Sequence, residues 1–463
     1  MPKVNHLFFS TDTNKRTLHR NITPSPRQQE MQQERWHDVR DYLIEDLKEL
    51  TGLEITSWLQ GSYKLSTQVR PAKKDEEFDI DLGIYFHWNE GEGADLTAKK
   101  LKLLTQESLL NYANEAEDEV LEVLTPPKER CARIRFPENF HIDIPAYHFN
   151  KTNNTCLLAT ESKGWEDSNP RDFHEWFENL FLEEENSQAC RIIRYFKIWS
   201  QLHMKEPATS ILLTVLIAEA LTELSKEDVD SDDLTIRNVA HYIFSRLETN
   251  SDVRNPVNTK EPINRASEEE TADLIKKLKD LVSLSEKALA SATELDAVSI
   301  WSSVFFHFFP FPAPDPSSPT SRSLIPVQFE PRVLVTAISA ENQNVTFRNY
   351  NQIGPIPKKC IITFQIENFS DIPIPDSHIQ WVVRNEGEEA DFENDLGHLA
   401  GTGPKSTEEI SQYKGIHYMD VTISSPQGLV IGFRRITVSI AGNFVPPRNQ
   451  KKPGWVKLKS RKR

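Results

Sequence analysis

Cysteine is scarce in this chain of 463 residues, which contains only four. None forms a CxxC pair, so the sequence excludes a disulfide framework and a structural zinc site, and it favours a reducing, cytoplasmic location. The first residues contain no apolar segment, and the longest apolar stretch, 211–221, is interrupted by Thr214 and Glu219. That stretch is too short to span a bilayer, so we expect no membrane segment.

Positive charge is also in deficit. The chain has 54 Lys and Arg against 69 Asp and Glu, a net charge of -15. This balance disfavours non-specific binding of long nucleic acids by the body of the protein. It is still compatible with binding of small charged ligands that arrive with metal ions. Apolar residues make up 38% of the chain, which is enough for folded domains, and the length predicts two or three of them.

The pattern of apolar residues divides the chain at a proline-rich stretch. Before it, apolar residues recur at three- and four-residue steps in eight segments, and β signals occur at 78–85, 131–136 and 140–145. After it, period-two alternation dominates. We therefore predict an α+β unit over 1–310, a linker over 311–328, a β-rich, sandwich-like domain over 329–447 and a basic tail over 448–463.

Three aspartates carry the strongest chemical signal. Asp79 and Asp81 are two residues apart in a predicted strand, so their side chains share one face and can bind one pair of divalent cations, most simply Mg²⁺. Asp143, in a second predicted strand, would complete a metal site beside an attacking hydroxyl. Upstream, Gly61 and Ser62 form a tight turn at a helix start, where free amides can meet a triphosphate.

An Asp-x-Asp sequence alone is usually a polar strand face or a turn. The ordered combination of Gln60-Gly61-Ser62, Asp79-Ile80-Asp81 and His141-Ile142-Asp143 is far more specific. It favours the active site of a nucleotidyltransferase.

These motifs resemble those of the polymerase β-like nucleotidyltransferases, and within them the bacterial cyclic-oligonucleotide synthases related to cyclic GMP-AMP synthase, the CD-NTases of CBASS anti-phage systems. Residues 165–221, with an Arg-Tyr-x-Lys-x-Trp helix and a Ser-Ile-x-Leu-Thr helix, and residues 297–310 extend the similarity. The resemblance implies a polymerase β-like core with a helical spine and lid, and two Mg²⁺ ions, with Mn²⁺ as an alternative.

The resemblance also implies roles for particular residues. The metal ligands and catalytic carboxylates would be Asp79, Asp81 and Asp143, and the donor-nucleotide pocket would include Gln60, Gly61 and Ser62. Lys197 and Ser210 would contact the donor triphosphate; the alternative is a surface lysine and a helix N-cap. Arg133 would address an acceptor base, or else belong to a solvated face.

The C-terminal domain resembles a sensor module that accompanies adenylyl and guanylyl cyclase-like proteins and some of these synthases. The similar residues are 381–390, 407–409 and 413–418. The resemblance implies that this domain senses a ligand or an activator, with 384–386 and His417 as candidates for contact. Alternatively, Trp381 and Tyr418 simply pack a sandwich core.

The implied function is synthesis of a cyclic di- or trinucleotide from ribonucleoside triphosphates, ATP or GTP among them, with release of pyrophosphate. The product would activate a separate effector protein in anti-phage defence. Two alternatives remain: a templateless RNA or tRNA nucleotidyltransferase, which the acidic body disfavours, and a non-catalytic nucleotide sensor, which the three carboxylates disfavour. The basic tail would clamp a polyanion or form a solvated end.

Overall fold

The computed structural model describes residues 4–74, 76–89, 96–181, 187–311, 329–340, 346–426 and 430–441. The chain divides into two compact units, Met1–Pro326 and Val327–Arg463. The predicted linker, apart from Phe311, and the predicted basic tail lie outside the described residues.

The helices of the first unit include one for each of the eight segments predicted from periodicity, together with short helices that periodicity did not predict. They are α1 (Asn5–Phe8), α2 (Leu18–Ile22), α3 (Pro26–Thr51), α4 (Gly61–Lys64), α5 (Ala98–Glu115), α6 (Pro170–Leu180), α7 (Gln188–His203), α8 (Ser210–Glu223), α9 (Asp232–Thr249), α10 (Glu268–Ala290) and α11 (Glu294–Phe305), with 3-10 turns at Glu227–Val229 and Phe306–Phe308. No helix among the described residues is long and apolar enough to cross a membrane.

Local sequence explains where the longest helix begins and ends. Ser25 caps α3 by accepting from the amide of Gln28, whose side chain accepts from the amide of Ser25, and Pro26 occupies the first turn. At the other end Gly52 adopts a left-handed conformation with φ of 69°, which a glycine accommodates without a steric penalty. The residues next to each end of α3 therefore explain its boundaries.

One mixed sheet forms the centre of the first unit. Its strands are β1 (Glu54–Gln60), β2 (Phe78–His87), β3 (Glu122–Val123), β4 (Ala132–Phe136), β5 (Phe140–Ile144), β6 (Ala146–Asn150), β7 (Thr155–Ala159) and β8 (Trp165–Asp167). They run in the order β3-β4-β5-β2-β6-β7-β8, and β1 pairs antiparallel with β2. A separate hairpin joins β9 (Arg254–Asn255) to β10 (Asn258–Pro262).

Alternation along β2 assigns its two faces. Phe78, Ile80 and Leu82 are buried in an apolar cluster that includes residues of α3 and α5. Asp79 and Asp81 consequently point away from that cluster, because successive side chains of a strand alternate between faces. The opposite face of the sheet is therefore the one available for chemistry.

The second unit contains two sheets around one apolar core. Strands β11 (Val333–Ser339), β12 (Thr346–Tyr350), β14 (Cys360–Ile366) and β17 (Ser406–Ile410) form one sheet in the order β12-β11-β14-β17. The other runs β13-β19-β18-β15-β16 and comprises β13 (Gln352–Ile356), β15 (His378–Arg384), β16 (Gly397–Thr402), β18 (Gly415–Ser424) and β19 (Val430–Ile440). Helix α12 (Glu388–Phe392) and a 3-10 turn, Phe369–Asp371, complete the unit.

The residues of the sensor resemblance have contrasting positions here. Trp381 is fully buried in the core, as the structural alternative predicts, whereas Tyr418 lies outside that cluster with the guanidinium of Arg435 over its ring. His417 and Arg384 are buried as well, with 5% and 6% of their surfaces exposed. Neither presents an open surface to a ligand.

Candidate active site

Two parallel strands bring the predicted acidic residues together. In the pairing of β2 with β5, Asp79 lies opposite His141 and Asp81 lies opposite Asp143. Residues two apart in a strand share a face, so these four side chains form a square on one side of the sheet. The two motifs are about sixty residues apart in the sequence, and the register between β2 and β5 brings them together.

A third strand places cations beside this square. Arg133 of β4 pairs in register with Asp143 and donates to both its carboxylate oxygens, from Nη2 at 2.7 Å to Oδ2. Lys128 Nζ lies 3.3 Å from the same Oδ2. Burial alone would raise the pKa of Asp143, but the hydrogen bonds and charge of Arg133 outweigh it and lower that pKa. Asp143 is therefore held as a carboxylate.

Asp81 has the opposite electrostatic environment. Burial, and then the negative charges of Asp79 and Asp143, raise the pKa of Asp81 well above its usual range. The backbone of Gly61 closes over this carboxyl group: a Cβ at position 61 would lie 2.0 Å from Asp81 Oδ2, and Gly61 has φ of 60°. A cation that offset these like charges would stabilise the ionised form of Asp81.

Gln60 is fixed underneath the turn that follows β1. Its amide nitrogen donates to the hydroxyl of Tyr85 at 3.1 Å, and its amide oxygen accepts from Tyr147 at 3.1 Å. Gln60 lies opposite Asp81 in the pairing of β1 with β2. It thus anchors the Gly61-Ser62 turn, which begins α4, against the acidic strand.

Lys197 projects from α7 into the same region and is only 5% exposed. Its Nζ donates to the carbonyl oxygen of Thr67 at 3.1 Å and to the Thr67 hydroxyl at 3.0 Å. Burial, followed by the nearby charge of Arg194, lowers the pKa of Lys197 to about 7. The alternative of a surface lysine is wrong. Ser210 is the first residue of α8, and Thr209, not Ser210, occupies the N-cap position.

One cleft of about 470 Å³ joins these elements. All the residues predicted for catalysis and nucleotide binding line it except Arg133, whose guanidinium contacts Asp143 in the sheet: Gln60, Gly61, Ser62, Asp79, Asp81, Asp143, Lys197 and Ser210. Helix α6 and the loop before it add a wall with Phe173 and His174, and Cys131 lies beside Asp143. Burial raises the pKa of the Cys131 thiol to about 12, so the neutral thiol predominates at neutral pH.

The carboxylates fit a divalent cation, with one departure from the predicted set. Asp79, His141 and Asp143 each offer a ligand atom, and these atoms lie within 4.8 Å of one another. His141 was not among the predicted residues. The signal was present, because in His141-Ile142-Asp143 the histidine occupies the same alternating position as the aspartate.

Comparison with known proteins agrees with this geometry. Residues 55–147 match the family described as "Cyclic GMP-AMP synthase DncV-like, nucleotidyltransferase domain", and residues 317–441 match the "Adenylyl/Guanylyl and SMODS C-terminal sensor domain". A cyclic GMP-AMP synthase of Escherichia albertii is 30% identical over 444 residues, which cover 94% of this chain and 95% of the relative. The chain belongs to this family.

The other similarities are narrower. A c-di-GMP synthase of Roseivirga ehrenbergii is 26% identical over 148 residues, covering 30% of this chain and 35% of the relative. The Vibrio cholerae di-nucleotide cyclase (DncV), solved in complex with GTP and 5MTHFGLU2, superposes with a TM-score of 0.57 at 17% identity, covering 66% of this chain and 96% of the cyclase.

Together these comparisons confirm the predicted fold class and the family resemblance. The first unit has the DncV-like nucleotidyltransferase fold, and the C-terminal part is rich in sheet. The protein is a nucleotidyltransferase, and its relatives are cyclic dinucleotide synthases.

Proposed function

We propose that this protein makes a cyclic di- or trinucleotide from ribonucleoside triphosphates in a reaction that depends on divalent metal ions. One observation carries the proposal: Asp79, Asp81 and Asp143 line the same cleft as the Gly61-Ser62 turn. Lys197 and Ser210 line it as well. The cleft therefore has acidic groups for metal ions adjacent to donors for a triphosphate.

In this mechanism the donor triphosphate lies along the turn after β1. The Ser62 hydroxyl, the Ser210 hydroxyl and the Lys197 ammonium group would orient its phosphates. Gln60 keeps the turn in place through its bonds to two tyrosine hydroxyls. The donor is thereby aligned for attack at its α-phosphate.

The carboxylates act on the other side of the same phosphate. Divalent ions held by Asp79, Asp81 and Asp143, Mg²⁺ or Mn²⁺, would offset the charge of the phosphates and polarise the phosphorus–oxygen bonds. Arg133 keeps Asp143 ionised beside the acceptor, so Asp143 is available to orient the ribose hydroxyl of the second nucleotide. Attack of that hydroxyl on the α-phosphate forms one phosphodiester bond and releases pyrophosphate.

Repetition of this step on the linear product closes the ring. The relatives support this conclusion, since those described as synthases make cyclic GMP-AMP or c-di-GMP, and DncV has been solved with the linear intermediate 5′ pppA(3′,5′)pG. We propose ATP and GTP as the first substrates to test.

The wider role follows from the family. We propose a cytoplasmic enzyme of bacterial anti-phage defence whose cyclic product activates a separate effector protein. Residues 329–447 would form a sensor domain that responds to an activator or ligand, joined by a linker at 311–328 to the catalytic unit at 1–310. The match of residues 317–441 to a sensor domain supports a C-terminal sensor, and this match begins within the proposed linker.

The decisive experiment incubates the purified chain with the four ribonucleoside triphosphates and Mg²⁺ or Mn²⁺, treats the products with phosphatase, and identifies them by mass spectrometry. We expect a phosphatase-resistant cyclic mass that the variant carrying both Asp79→Asn and Asp81→Asn does not produce. Linear, phosphatase-sensitive oligomers would instead favour a templateless polymerase. Nucleotide binding with no product under any addition would overturn catalysis in favour of a nucleotide sensor.

A further inference from the structure

His141 has a buried ring nitrogen directed into the acidic square. The residue is only 7% exposed. Its Nε2 lies 3.0 Å from Oδ1 of Asp79, yet it has no hydrogen-bond partner among the described residues, so this short approach is not an aligned hydrogen bond. A buried polar atom without a partner carries a cost in free energy, which points to a group that would bind it.

The other ring nitrogen of His141 is already engaged. Its Nδ1 lies 2.9 Å from Oε2 of Glu77, two residues before Asp79. Glu77 is fixed in turn by Arg135, whose Nε donates to Oε1 at 2.7 Å. A carboxylate on one imidazole nitrogen, with the other nitrogen on the ion, is the usual arrangement around histidines that bind metal ions.

The donor atoms beside Nε2 complete a compact set. Asp79, His141 and Asp143 offer ligand atoms within 4.8 Å of one another. Asp79 remains 52% exposed to the cleft, so an ion has access from that side. Two carboxylate oxygens and one imidazole nitrogen on two adjacent strands make a rigid, mixed donor set.

We propose that Asp79, His141 and Asp143 form one divalent-metal site in which Nε2 of His141 is a ligand and Glu77 orients the ring. The proposal rests on the proposed function, because it redefines one metal position of the same catalytic cleft. An imidazole ligand favours first-row transition ions over Mg²⁺, whereas an all-carboxylate site favours Mg²⁺. The site therefore prefers Mn²⁺ to Mg²⁺.

The direct test observes the nitrogen ligand in the full chain. Substoichiometric Mn²⁺ is added without nucleotide, binding is followed by electron paramagnetic resonance, and electron spin echo modulation reports nitrogen bonded to the ion. We expect a ¹⁴N modulation that changes to that of ¹⁵N when only the histidines carry ¹⁵N. Bound Mn²⁺ without nitrogen modulation would overturn the proposal, and so would failure of Mn²⁺ to bind.

Substitutions assign the signal to one histidine. His141→Gln should abolish the modulation and reduce the preference for Mn²⁺ over Mg²⁺, and Glu77→Gln should weaken Mn²⁺ binding by about 10- to 100-fold, the usual effect of removing an orienting partner. The matched control is His148→Gln, because His148 lies on β6, the next strand along the chain, and contacts Trp88. Modulation that survives His141→Gln would overturn the assignment.

Product analysis separates this proposal from the proposed function. Nitrogen coordination without any nucleotide product would leave the metal site in place and overturn cyclic-nucleotide synthesis. Product formation in a protein whose Mn²⁺ lacks a nitrogen ligand would overturn only the role of His141. The isotope experiment needs no substitution, so a variant that fails to fold does not block the test.

Discussion

Two aspartates on central strands, one in each unit, differ in the charges that surround their carboxylates. In the C-terminal unit, Asp420 of β18 accepts from Arg384 at 2.7 Å and from both Nε and Nη2 of Arg435 at 2.7 Å. In the first unit, Asp81 of β2 is partly buried and lies beside Asp79 and Asp143, which carry the same charge. Both residues are aspartates on central strands, but their neighbours differ.

The two aspartates differ in which groups carry a positive charge beside the carboxylate. Arginines of the same sheet supply it for Asp420, so this carboxylate is compensated within the fold. Around Asp81 the charges of Asp79 and Asp143 outweigh those of Arg133 and Lys128, and the cleft beside it leaves room for a bound cation. Each prediction below changes one side of this comparison.

The largest expected effect is on catalysis. Replacing both Asp79 and Asp81 by Asn removes the charge that would hold the metal ions, so product formation should fall by roughly 10³-fold or more, equivalent to about 4 kcal/mol of transition-state stabilisation. Pyrophosphate release and mass spectrometry measure the loss. Asp41→Asn, on the exposed surface of α3, is the control and should retain full activity. A double variant with more than a tenth of the native rate would contradict the metal assignment.

The next effect, on stability, should differ between the two units. Asp420→Asn removes the carboxylate that pairs with Arg384 and Arg435, so it should lower the free energy of unfolding by about 3 to 5 kcal/mol. Asp81→Asn removes repulsion between like charges, so without metal it should leave the stability of the first unit unchanged or raised. Differential scanning calorimetry of the metal-free protein compares the two. Equal destabilisation by both substitutions would refute the distinction.

The Gly61 turn should show a smaller effect on activity. Gly61→Ala inserts a Cβ 2.0 Å from Asp81 Oδ2, and displacement of a catalytic group by about 1 Å can lower the rate by roughly 10²-fold. Gly52→Ala is a matched control, since Gly52 has a similar φ of 69° and nothing within 4 Å of the added Cβ. Steady-state rates separate the two variants. A similar loss of rate in both would mean that backbone strain, not contact with Asp81, is responsible.

The smallest effect concerns pH and Lys197. Because the pKa of Lys197 in the free protein is lowered to about 7, its positive charge is lost as the pH rises through 7, and a bound triphosphate should raise this pKa again. Affinity for ATP with its metal should therefore fall about tenfold between pH 6.5 and 8.5, the equivalent of one pKa unit. In Lys197→Gln the same titration should be flatter. An identical slope in the variant would exclude Lys197 from triphosphate binding.

Much of the fold was predictable because its helices and core strands carry strong periodic signals. Helix α8 begins at Ser210 and α7 ends at His203, as the apolar spacing indicates. Among the strands that were not predicted, β12 and β17 lie at the two edges of their sheet and have weak alternation: β12 has largely exposed residues, and β17 reads Ser-Thr-Glu-Glu-Ile. Such edge strands form because a neighbouring strand supplies hydrogen bonds, which local sequence does not record.

Predictability of the site follows the same rule. Asp79 and Asp81 could be placed on one face because two-residue alternation is local. The burial of Lys197 and the contact of Arg133 with Asp143 could not be placed, because each depends on an element far away in the chain. His141 was partly predictable. Its position on the same strand face as Asp143 could be inferred from the sequence, but its contact with Glu77 could not.

The sequence by itself determined the helices, the alternating acidic strand, the Gly61 turn and the family resemblance, because all of these reside in short-range patterns of residue type. Only the tertiary structure decided which charges meet. The register of β2 with β5 and of β5 with β4 sets Asp79 beside His141 and Asp143 beside Arg133. Strand register is fixed by burial of the whole sheet face. The charges that surround each aspartate therefore come from several strands, and no single segment of sequence specifies them.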